Sequence, residues 1–230
     1  MNCSEKILEI LDFHNINGHD KPGGTDKNTN HSYVDVYGKI LAPHMGRNGN
    51  LLEIGAQYGG SILLWHELLD KFKILSIDTK DQIDPLIKSK LSYNKFTLIV
   101  DDAYKKSTVD QCVNLHPGGF EIIIDDGPHT IDSQLSSIDL YLNLLKPNGV
   151  FVIEDIQDFS FVDLIKQKIP SSDVYEYHVE VHDLRNVKQR YDDVIITITK
   201  KIKPAENRIA VFYHLGQFYR DWETDRKSVV

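Results

Sequence analysis

Residues 122–129 read IIIDDGPH, and residues 146–158 read KPNGVFVIEDIQD. Each stretch contains a short apolar run that ends in two acids, and the segment between the two stretches has helical spacing. Short apolar runs bounded by turn signals are typical of strands buried in a parallel sheet. Ligands of open α/β sheets bind at the carboxyl ends of such strands. We therefore expect both acid pairs to meet at one edge of a sheet.

The same alternation of strands and helices extends over most of the chain. Strands are predicted at 51–54, 73–77, 96–100, 122–124 and 150–153, and helices at 61–69 and 133–145. This order predicts an α/β fold with a doubly wound, mostly parallel, Rossmann-like sheet. Two later segments, 174–181 and 194–200, predict an antiparallel hairpin at one edge, which gives seven strands.

Three regions follow from this pattern. Residues 1–45 contain predicted helices at 4–13 and 33–41, and between them a polar loop at 14–32. An irregular segment of this length is typical either of a functional loop, here a lid over a ligand, or of a disordered linker. Residues 46–222 form the predicted catalytic domain, and residues 223–230 have no core pattern and predict a frayed tail.

Composition and charge exclude several classes of function. The chain has 230 residues and a formal net charge of −8, which argues against a nucleic-acid or anionic-membrane partner. Two cysteines, Cys3 and Cys112, form no disulfide framework and favour a reducing, cytoplasmic location. The N-terminus shows no signal-peptide pattern, and no apolar run reaches the roughly 18 residues of a membrane span.

A glycine-rich turn follows the first predicted strand. Residues 53–60 read EIGAQYGG, a spacing that differs from the dinucleotide fingerprint GxGxxG. Such a turn lets the backbone approach a ligand, or it is simply a tight connection without one. Asp78 ends the second strand, where an acid commonly binds ribose hydroxyls, and Asp102 ends the third, where it could meet an adenine. Either acid could equally be an ordinary turn residue.

Four residues after the two central strands predict a metal site. Asp126, His129, Glu154 and Asp155 offer carboxylate oxygens, which Mg²⁺ prefers, and an imidazole that titrates near neutral pH. Closely placed carboxylates repel each other unless a cation or protons neutralise them. The alternative is that these acids cap helices and lie in solvated turns. Two acid pairs after two buried strands favour the metal, and therefore an enzyme.

These motifs together resemble a known family. GTDK at 24–27, LEIG at 52–55, GGS at 59–61, ID at 77–78, IIDDGPH at 123–129 and LKPNGVFVIEDIQ at 145–157 resemble the class I S-adenosylmethionine-dependent methyltransferases. More narrowly, they resemble the metal-dependent sugar O-methyltransferases of the macrocin and mycinamicin type. The resemblance covers about residues 20–160, and it implies a Rossmann-like methyltransferase fold.

The resemblance also implies roles for individual residues. Binding of S-adenosylmethionine is implied for Thr25, Glu53, Gly55, Ser61, Asp78, Asp102 and Asp125, with Glu53 and Gly55 at its methionine end. Mg²⁺ binding is implied for Asp126, Glu154 and Asp155. His129 is implied to be the general base.

The leading hypothesis is an Mg²⁺-dependent O-methyltransferase. It would move a methyl group from S-adenosylmethionine to a hydroxyl of a sugar or another vicinal diol, in a small and glycosylated acceptor. One alternative is a catechol-type small-molecule O-methyltransferase. A metal-dependent hydrolase or a non-catalytic cofactor-binding protein is a third. Related enzymes also suggest a homo-oligomer.

Overall fold

The computed structural model describes residues 2–204. Seven strands of this part form one sheet in the order β3-β2-β1-β4-β5-β7-β6. The strands are β1 (Gly49–Ile54), β2 (Phe72–Asp78), β3 (Phe96–Val100), β4 (Phe120–Asp125), β5 (Leu145–Ile153), β6 (Tyr175–Asp183) and β7 (Val194–Ile202). The α-helices are α1 (Cys3–Phe13), α2 (Val34–Leu41), α3 (Gly60–Leu68), α4 (Pro85–Lys90), α5 (Lys106–Leu115), α6 (Ile131–Tyr141), α7 (Phe161–Lys168) and α8 (Arg185–Lys188).

The sheet is parallel from β3 to β5 and antiparallel at one side. Strand β1 pairs in parallel with both β2 and β4, and β4 pairs in parallel with β5. Strands β5 and β6 both pair antiparallel with β7. The predicted mostly parallel sheet and its antiparallel hairpin are confirmed. From β1, the strands β2 and β3 follow on one side, and β4 and β5 follow on the other side. Open α/β sheets bind ligands at such a reversal of strand order.

Successive residues along each strand point to opposite faces of the sheet, and helices pack against both faces. On one face, Leu51 and Ile122 pack in a core with residues of α1, α2 and α3, among them the buried Trp65. On the other face, Leu52 and Ile123 pack in a second core with residues of α5, α6 and α7. Burial on both faces explains why these strands read as continuous apolar runs.

The structure differs from the sequence prediction in several elements. The sequence Pro-Asn-Gly at 147–149, which is typical of a tight turn, lies inside β5. This strand begins at Leu145 and shifts its register against β4 between Phe120 and Ile122. Asn148 takes a left-handed φ of +63° there, so the turn residues form a bulge. The helix predicted at 133–145 ends at Tyr141 and continues as a 3₁₀ turn at 142–144. Helices α4, α5, α7 and α8 were not predicted.

Loop 14–32 has a hydrogen-bonded structure of its own. The N–H of Gly18 donates to the carbonyl oxygen of Thr25 at 2.9 Å, and the N–H of Thr25 donates to that of Ile16 at 2.9 Å. A Cβ on Gly24 would stand 1.8 Å from the carbonyl oxygen of Gly18, so only glycine fits this close approach. The tail predicted at 223–230 lies outside the described residues. Among those residues, each helix is too short or too polar to cross a bilayer.

Candidate functional site

A cavity of about 580 Å³ opens at the carboxyl ends of β1 to β4. Loop 14–32, the glycine turn after β1 and the turns after β2, β3 and β4 all contribute to its walls. The sequence-predicted residues that line it are Thr25, Gly55, Ser61, Asp78, Asp102, Asp126, His129 and Asp155. The other predicted residues, Glu53, Asp125 and Glu154, are buried behind this wall. The topology therefore brings all the predicted site residues to one edge of the sheet.

The glycine turn after β1 forms one wall of the cavity. Gly55 has a φ of +97°, and a Cβ at this position would stand 2.0 Å from the carbonyl oxygen of Asp126. Gly59 has a φ of +88°, and a Cβ there would meet Ile83 at 2.7 Å. Glycine alone combines such backbone angles with so close an approach. The turn geometry explains the motif, and it brings the backbone of residues 55–60 to the cavity.

Two acids at the ends of β2 and β3, Asp78 and Asp102, also line the cavity. The Oδ2 of Asp78 accepts hydrogen bonds from the backbone N–H groups of Ala56 at 3.0 Å and Gln57 at 2.9 Å. The Oδ1 of Asp102 accepts one from the backbone N–H of Tyr104 at 2.9 Å. Both carboxylates line the cavity and retain lone pairs for a ligand.

Glu53 stabilises the start of α3 from behind the cavity wall. It is fully buried, and its two oxygens accept hydrogen bonds from the Ser61 hydroxyl and the Trp65 indole, each at 3.0 Å. Burial raises the pKa of Glu53 to about 7, although the nearby Lys27 ammonium opposes this shift. Glu53 thus meets a ligand in the cavity only through Ser61, which lines the wall.

Asp125 is the second acid behind the wall. Its Oδ1 lies 3.4 Å from the Tyr104 hydroxyl and 3.3 Å from the Gly127 N–H. Its Oδ2 has no hydrogen-bond partner among the described residues. Burial is the main cause that raises the pKa of Asp125 to about 6. A buried carboxylate oxygen without a partner is costly. The other oxygen, Oδ1, lies beside Tyr104 and Gly127, which both line the cavity.

Asp126, His129 and Asp155 form a group that could hold a metal ion. The Nε2 of His129 lies 3.7 Å from Oδ1 of Asp126 and 3.6 Å from Oδ2 of Asp155. Left-handed backbone angles, φ +56° at His129 and +55° at Asp155, turn these two side chains toward each other across neighbouring strand ends. Burial, followed by the Asp126 carboxylate, raises the pKa of Asp155. A cation at this position would relieve that repulsion.

Glu154 faces away from this group and toward Lys27. The Lys27 ammonium donates to both Glu154 oxygens, at 2.8 and 2.7 Å, and to Oδ2 of Asp126 at 2.8 Å. The Tyr37 hydroxyl also donates to Glu154. Burial would lower the pKa of Lys27, but the Asp126 and Glu154 carboxylates outweigh it and hold that pKa well above its ordinary value.

Residues next to Lys27 bind the far side of Asp155. The Tyr33 hydroxyl donates to Oδ1 of Asp155 at 2.5 Å. The His31 ring stacks on Tyr33 with centroids 4.6 Å apart, and its Nδ1 lies 3.4 Å from the same oxygen. The segment 27–33 therefore donates hydrogen bonds to Oδ2 of Asp126 and Oδ1 of Asp155, the two oxygens that do not face His129.

Sequence reasoning missed Lys27, His31, Tyr33 and Tyr37. The available signal was a set of hydrogen-bond donors at the end of the polar loop and the start of α2, in a chain whose acid cluster needs such donors. Local spacing could not show that this run folds back onto strand ends about one hundred residues later, since that contact is set by tertiary packing.

A second cavity of about 460 Å³ adjoins the first and shares Pro128 and His129 with it. Its remaining walls come from Thr130, Ile131, Gln157 and Phe161. The Gln157 side chain donates to the carbonyl oxygen of Asp155 at 3.2 Å and accepts from the Tyr191 hydroxyl at 3.0 Å. His129 thus stands between two cavities, where molecules bound on either side would meet.

Residues 52–156 match the family model described as a methyltransferase domain. The 8-demethyl-8-alpha-L-rhamnosyl tetracenomycin-C 2'-O-methyltransferase of Streptomyces olivaceus is 26% identical over 171 residues, which cover 66% of this chain and 41% of that protein. The demethylmacrocin O-methyltransferase of Streptomyces fradiae is 26% identical over 55% of this chain and 32% of that protein. The chain therefore spans less than half the length of these relatives.

Solved structures confirm the fold. The MycE methyltransferase from the mycinamycin biosynthetic pathway, in complex with Mg and SAH, superposes with a TM-score of 0.62 at 19% identity, over 86% of this chain and 55% of that one. The O-methyltransferase from Bacillus cereus in complex with SAH gives a TM-score of 0.54 at 14% identity, over 86% of this chain and 90% of that one. The chain resembles class I methyltransferases in its motifs and has their Rossmann-like fold.

Proposed function

We propose that this chain is an O-methyltransferase that uses S-adenosylmethionine and a divalent cation, Mg²⁺, to methylate a hydroxyl of a vicinal diol, most simply in a sugar. One observation carries the proposal. A cavity built on the glycine turn and Asp78 ends at His129 and the two carboxylates beside it. Sugar O-methylation by the relatives in Streptomyces supports the acceptor class.

The cavity suits S-adenosylmethionine in size and in the polar groups that face it. A drug-sized ligand needs a pocket of roughly 300–1,000 Å³, and this one has about 580 Å³. Asp78 would accept hydrogen bonds from the ribose, and Asp102 would contact the adenine. Gly55, Ser61 and Thr25 would surround the methionine end. Asp125 would act through Tyr104 and Gly127, the two cavity-lining residues that lie beside its Oδ1.

The acid cluster suits Mg²⁺, which prefers oxygen ligands and near-octahedral geometry with several waters. The sequence-predicted set is Asp126, Glu154 and Asp155, and the first and last of these present an oxygen toward His129. When bound, the cation would stabilise negative charge on an acceptor hydroxyl and orient the diol.

His129 would act as the general base. Its Nε2 points at the space between the two carboxylates and lies at the junction of both cavities. From there it could take the proton of an acceptor hydroxyl as the oxygen attacks the sulfonium methyl group. Positioning of the two reactants on either side of His129 would supply much of the rate enhancement.

The second cavity is our candidate acceptor site. Pro128, Ile131 and Phe161 give it apolar walls next to His129. Such walls fit the apolar part of a glycosylated small molecule whose diol reaches the acid cluster. Because Phe161 is aromatic, a catechol remains the second candidate acceptor.

Three broader expectations from the sequence remain proposals. They are a cytoplasmic location, a homo-oligomeric state, and the division into an N-terminal region at 1–45 and a catalytic domain at 46–222. Loop 14–32 belongs functionally with the catalytic domain, since Thr25 and Asp26 line the cavity.

Methyl transfer from labelled S-adenosylmethionine tests the proposed function. The acceptors are glycosides with a vicinal diol, the matching monodeoxy glycosides, and a catechol, each with Mg²⁺ or with EDTA. We expect transfer to a diol glycoside, loss of transfer to its monodeoxy partner, and loss with EDTA or in Asp126→Ala. Equal transfer with EDTA would refute the metal role. Preference for the catechol would select the second candidate.

A further inference from the structure

Strand β6 is a long edge of the sheet. Among residues 2–204 it pairs with β7 alone. It has nine residues, whereas β3 at the opposite edge has five. Its register against β7 runs without a bulge, and its sequence YEYHVEVHD contains neither lysine nor proline. Natural proteins usually protect an edge strand by such features or by making it short. Strand β6 lacks these protections against pairing with a further strand.

The hydrogen bonds to β7 show which backbone groups of β6 face outward. The N–H of Lys203 donates to the carbonyl oxygen of Val174 at 2.9 Å, and the N–H of Leu184 donates to that of Asp193 at 2.8 Å. These two bonds flank an unbroken antiparallel register, in which hydrogen-bonded and non-hydrogen-bonded pairs alternate. Even-numbered residues of β6 therefore bond to β7, and odd-numbered residues point their N–H and C=O groups to the open edge.

These outward groups suit an antiparallel copy of the same strand. The N–H of Tyr175 is already bonded, since it donates to the Ser172 hydroxyl at 3.1 Å. The odd-numbered residues after it are Tyr177, Val179 and Val181, and their half-buried side chains pack against the second core, which holds the strand in place. Antiparallel pairing of two copies about Val179 would set Val179 opposite itself and Tyr177 opposite Val181. The outward groups of each copy would then bond those of the other.

Acidic and imidazole side chains alternate on the other face of β6. They are those of Glu176, His178, Glu180 and His182. The Nε2 of His182 contacts the Thr197 hydroxyl at 3.2 Å, which leaves Nδ1 for a partner. It lies 3.9 Å from the Glu180 carboxylate of the same chain, which is too far for a hydrogen bond. An imidazole N–H can donate to a carboxylate whether or not the ring is protonated, so a second copy fits best where each glutamate meets a histidine.

The centre at Val179 gives this match. Glu176 lies opposite His182 of the second copy, and Glu180 lies opposite His178, at the non-hydrogen-bonded pairs where side chains come closest. A centre one residue earlier would set His178 opposite itself and Glu176 opposite Glu180, and a centre one residue later would set Glu180 opposite itself. Like charges directly opposite each other are unfavourable. A shift by two residues would leave one glutamate and one histidine without such a partner.

We infer that β6 is the surface through which two copies of this chain associate, with the sheet continuous across both copies and Val179 on the two-fold axis. The inference does not depend on the proposed function, since no residue of β6 lines either cavity. It gives the homo-oligomer expected from the sequence a defined interface. A single strand edge is a small interface, and each copy carries a net charge of −8. We therefore expect a weak dimer, with a dissociation constant of about 1–100 µM.

Sedimentation velocity across the micromolar range, in about 0.15 M salt to screen the net charge, tests the interface. Glu180→Lys places a lysine opposite His178 and should weaken association at least about tenfold, because symmetry doubles each change. The double variant His178→Glu with Glu180→Lys exchanges the two groups, and its affinity should return to within about threefold of the wild type. Glu9→Lys, the same charge change on α1, should have no effect.

The single variant also distinguishes the registers. With the centre one residue earlier, Glu180→Lys would place the lysine opposite Glu176 and strengthen association. Such a result, or a double variant as weak as Glu180→Lys, would overturn the inferred register. A wild type that stays monomeric at all these concentrations would overturn the inference altogether, and would leave the edge to a strand of another protein.

Val179→Pro tests the backbone contacts. It removes an N–H that points to the open edge, so the ladder with β7 keeps its bonds. The dimer should be lost, whereas Val179→Thr, which keeps the N–H and the β-branched shape, should retain it. Thermal unfolding of the two variants shows whether the fold is intact. A dimer that persists unchanged in Val179→Pro would place the interface elsewhere.

Hydrogen exchange on the wild type needs no variant. The amides of Tyr177, Val179 and Val181 should exchange fast in dilute protein and slowly at concentrations where the dimer forms. The amides of His178 and Glu180 bond to β7 and should stay protected in both conditions. A dimer in which the three odd-numbered amides still exchange fast would contradict the inference.

Discussion

Glu53 shows how one buried acid links the stability of the fold to pH. The pKa of Glu53 is about 7 in the folded protein and 4.5 ordinarily, mainly because burial disfavours the charged form. A raised folded-state pKa means that the folded protein binds the proton more tightly than the unfolded chain. The resulting stability is complete below about pH 4.5 and is lost as the pH rises through about 7.

Replacement of Glu53 by Gln should remove this pH dependence. The amide can accept from Trp65 and donate to Ser61, and it does not titrate. The free energy of unfolding of Glu53→Gln, relative to the wild type, should increase by about 2–3 kcal/mol between pH 5 and pH 8. Urea denaturation across this range measures it, with Glu176→Gln on the exposed face of β6 as the control for lost charge. The same difference at both pH values would contradict the account.

His129→Asn tests the general base. Asn tolerates the left-handed backbone at this position, φ +56°, but cannot take a proton near neutral pH. We expect kcat to fall by about 10²–10⁴-fold, the usual contribution of general acid–base catalysis. The affinity for S-adenosylhomocysteine (SAH), measured by calorimetry, should change little. A variant with nearly normal kcat would exclude His129 as the base.

At the residue scale, the sequence predicted the groups whose position follows from strand ends. Asp78, Asp102, Asp126 and Asp155 all follow predicted strands, and all four line the cavity. Which acids face the cavity could not be predicted, because that depends on buried donors from other segments. Lys27 and Tyr37 turn Glu154 away from the cavity, and neither contact has a local sequence signal.

At the element scale, loop 14–32 packs against the start of α3. A Cβ on Gly60 would stand 2.5–2.6 Å from backbone atoms of Gly23 and Gly24. Real side chains do not reach such distances to backbone atoms, so a larger residue must push the loop away. The loop carries Thr25 on the cavity wall and Lys27 in the acid cluster, so its displacement would disturb both ends of the site.

Gly60→Ala therefore tests the fit of the loop. Alanine favours a helix more than glycine does, so α3 should form normally. Overpacking costs about 1–3 kcal/mol, and we expect the affinity for SAH to fall at least about tenfold. Calorimetry measures this, with Gly118→Ala as the control, since a Cβ there has its nearest neighbour at 3.9 Å. Unchanged affinity in Gly60→Ala would mean that the loop does not shape the cofactor cavity.

The sequence predicted long, strongly patterned elements better than short ones. Strands β1 to β5 have apolar runs that burial on both faces of the sheet explains. Helices α4, α5, α7 and α8, none longer than ten residues, were not predicted. Tertiary packing rather than a local signal stabilises helices of this length. The sequence left open whether loop 14–32 is a lid or a linker. The role of its glycines shows only in close tertiary contacts, of Gly24 with Gly18 and of Gly23 and Gly24 with Gly60 in α3.

At the scale of the whole molecule, the order of the strands assembles the site. Strand β1 lies between β2 and β4, so the acids proposed to bind the cofactor and those proposed to bind the metal share one edge of the sheet. The N-terminal segment returns to that edge and supplies Lys27, Tyr33 and Tyr37. Alternation of strands and helices predicted the sheet, whereas the return of the N-terminal segment depends on contacts between residues far apart in the chain.

Calorimetric titration with S-adenosylmethionine tests the central claim most directly. The wild type and Asp126→Ala are each titrated with the cofactor, with and without Mg²⁺, and separately with Mg²⁺ alone. Asp126 is proposed to bind the cation rather than the cofactor, so both proteins should bind the cofactor in the micromolar range, about −8 kcal/mol. The Mg²⁺ signal should be lost only in Asp126→Ala. Failure of the wild type to bind the cofactor under any metal condition would contradict the account.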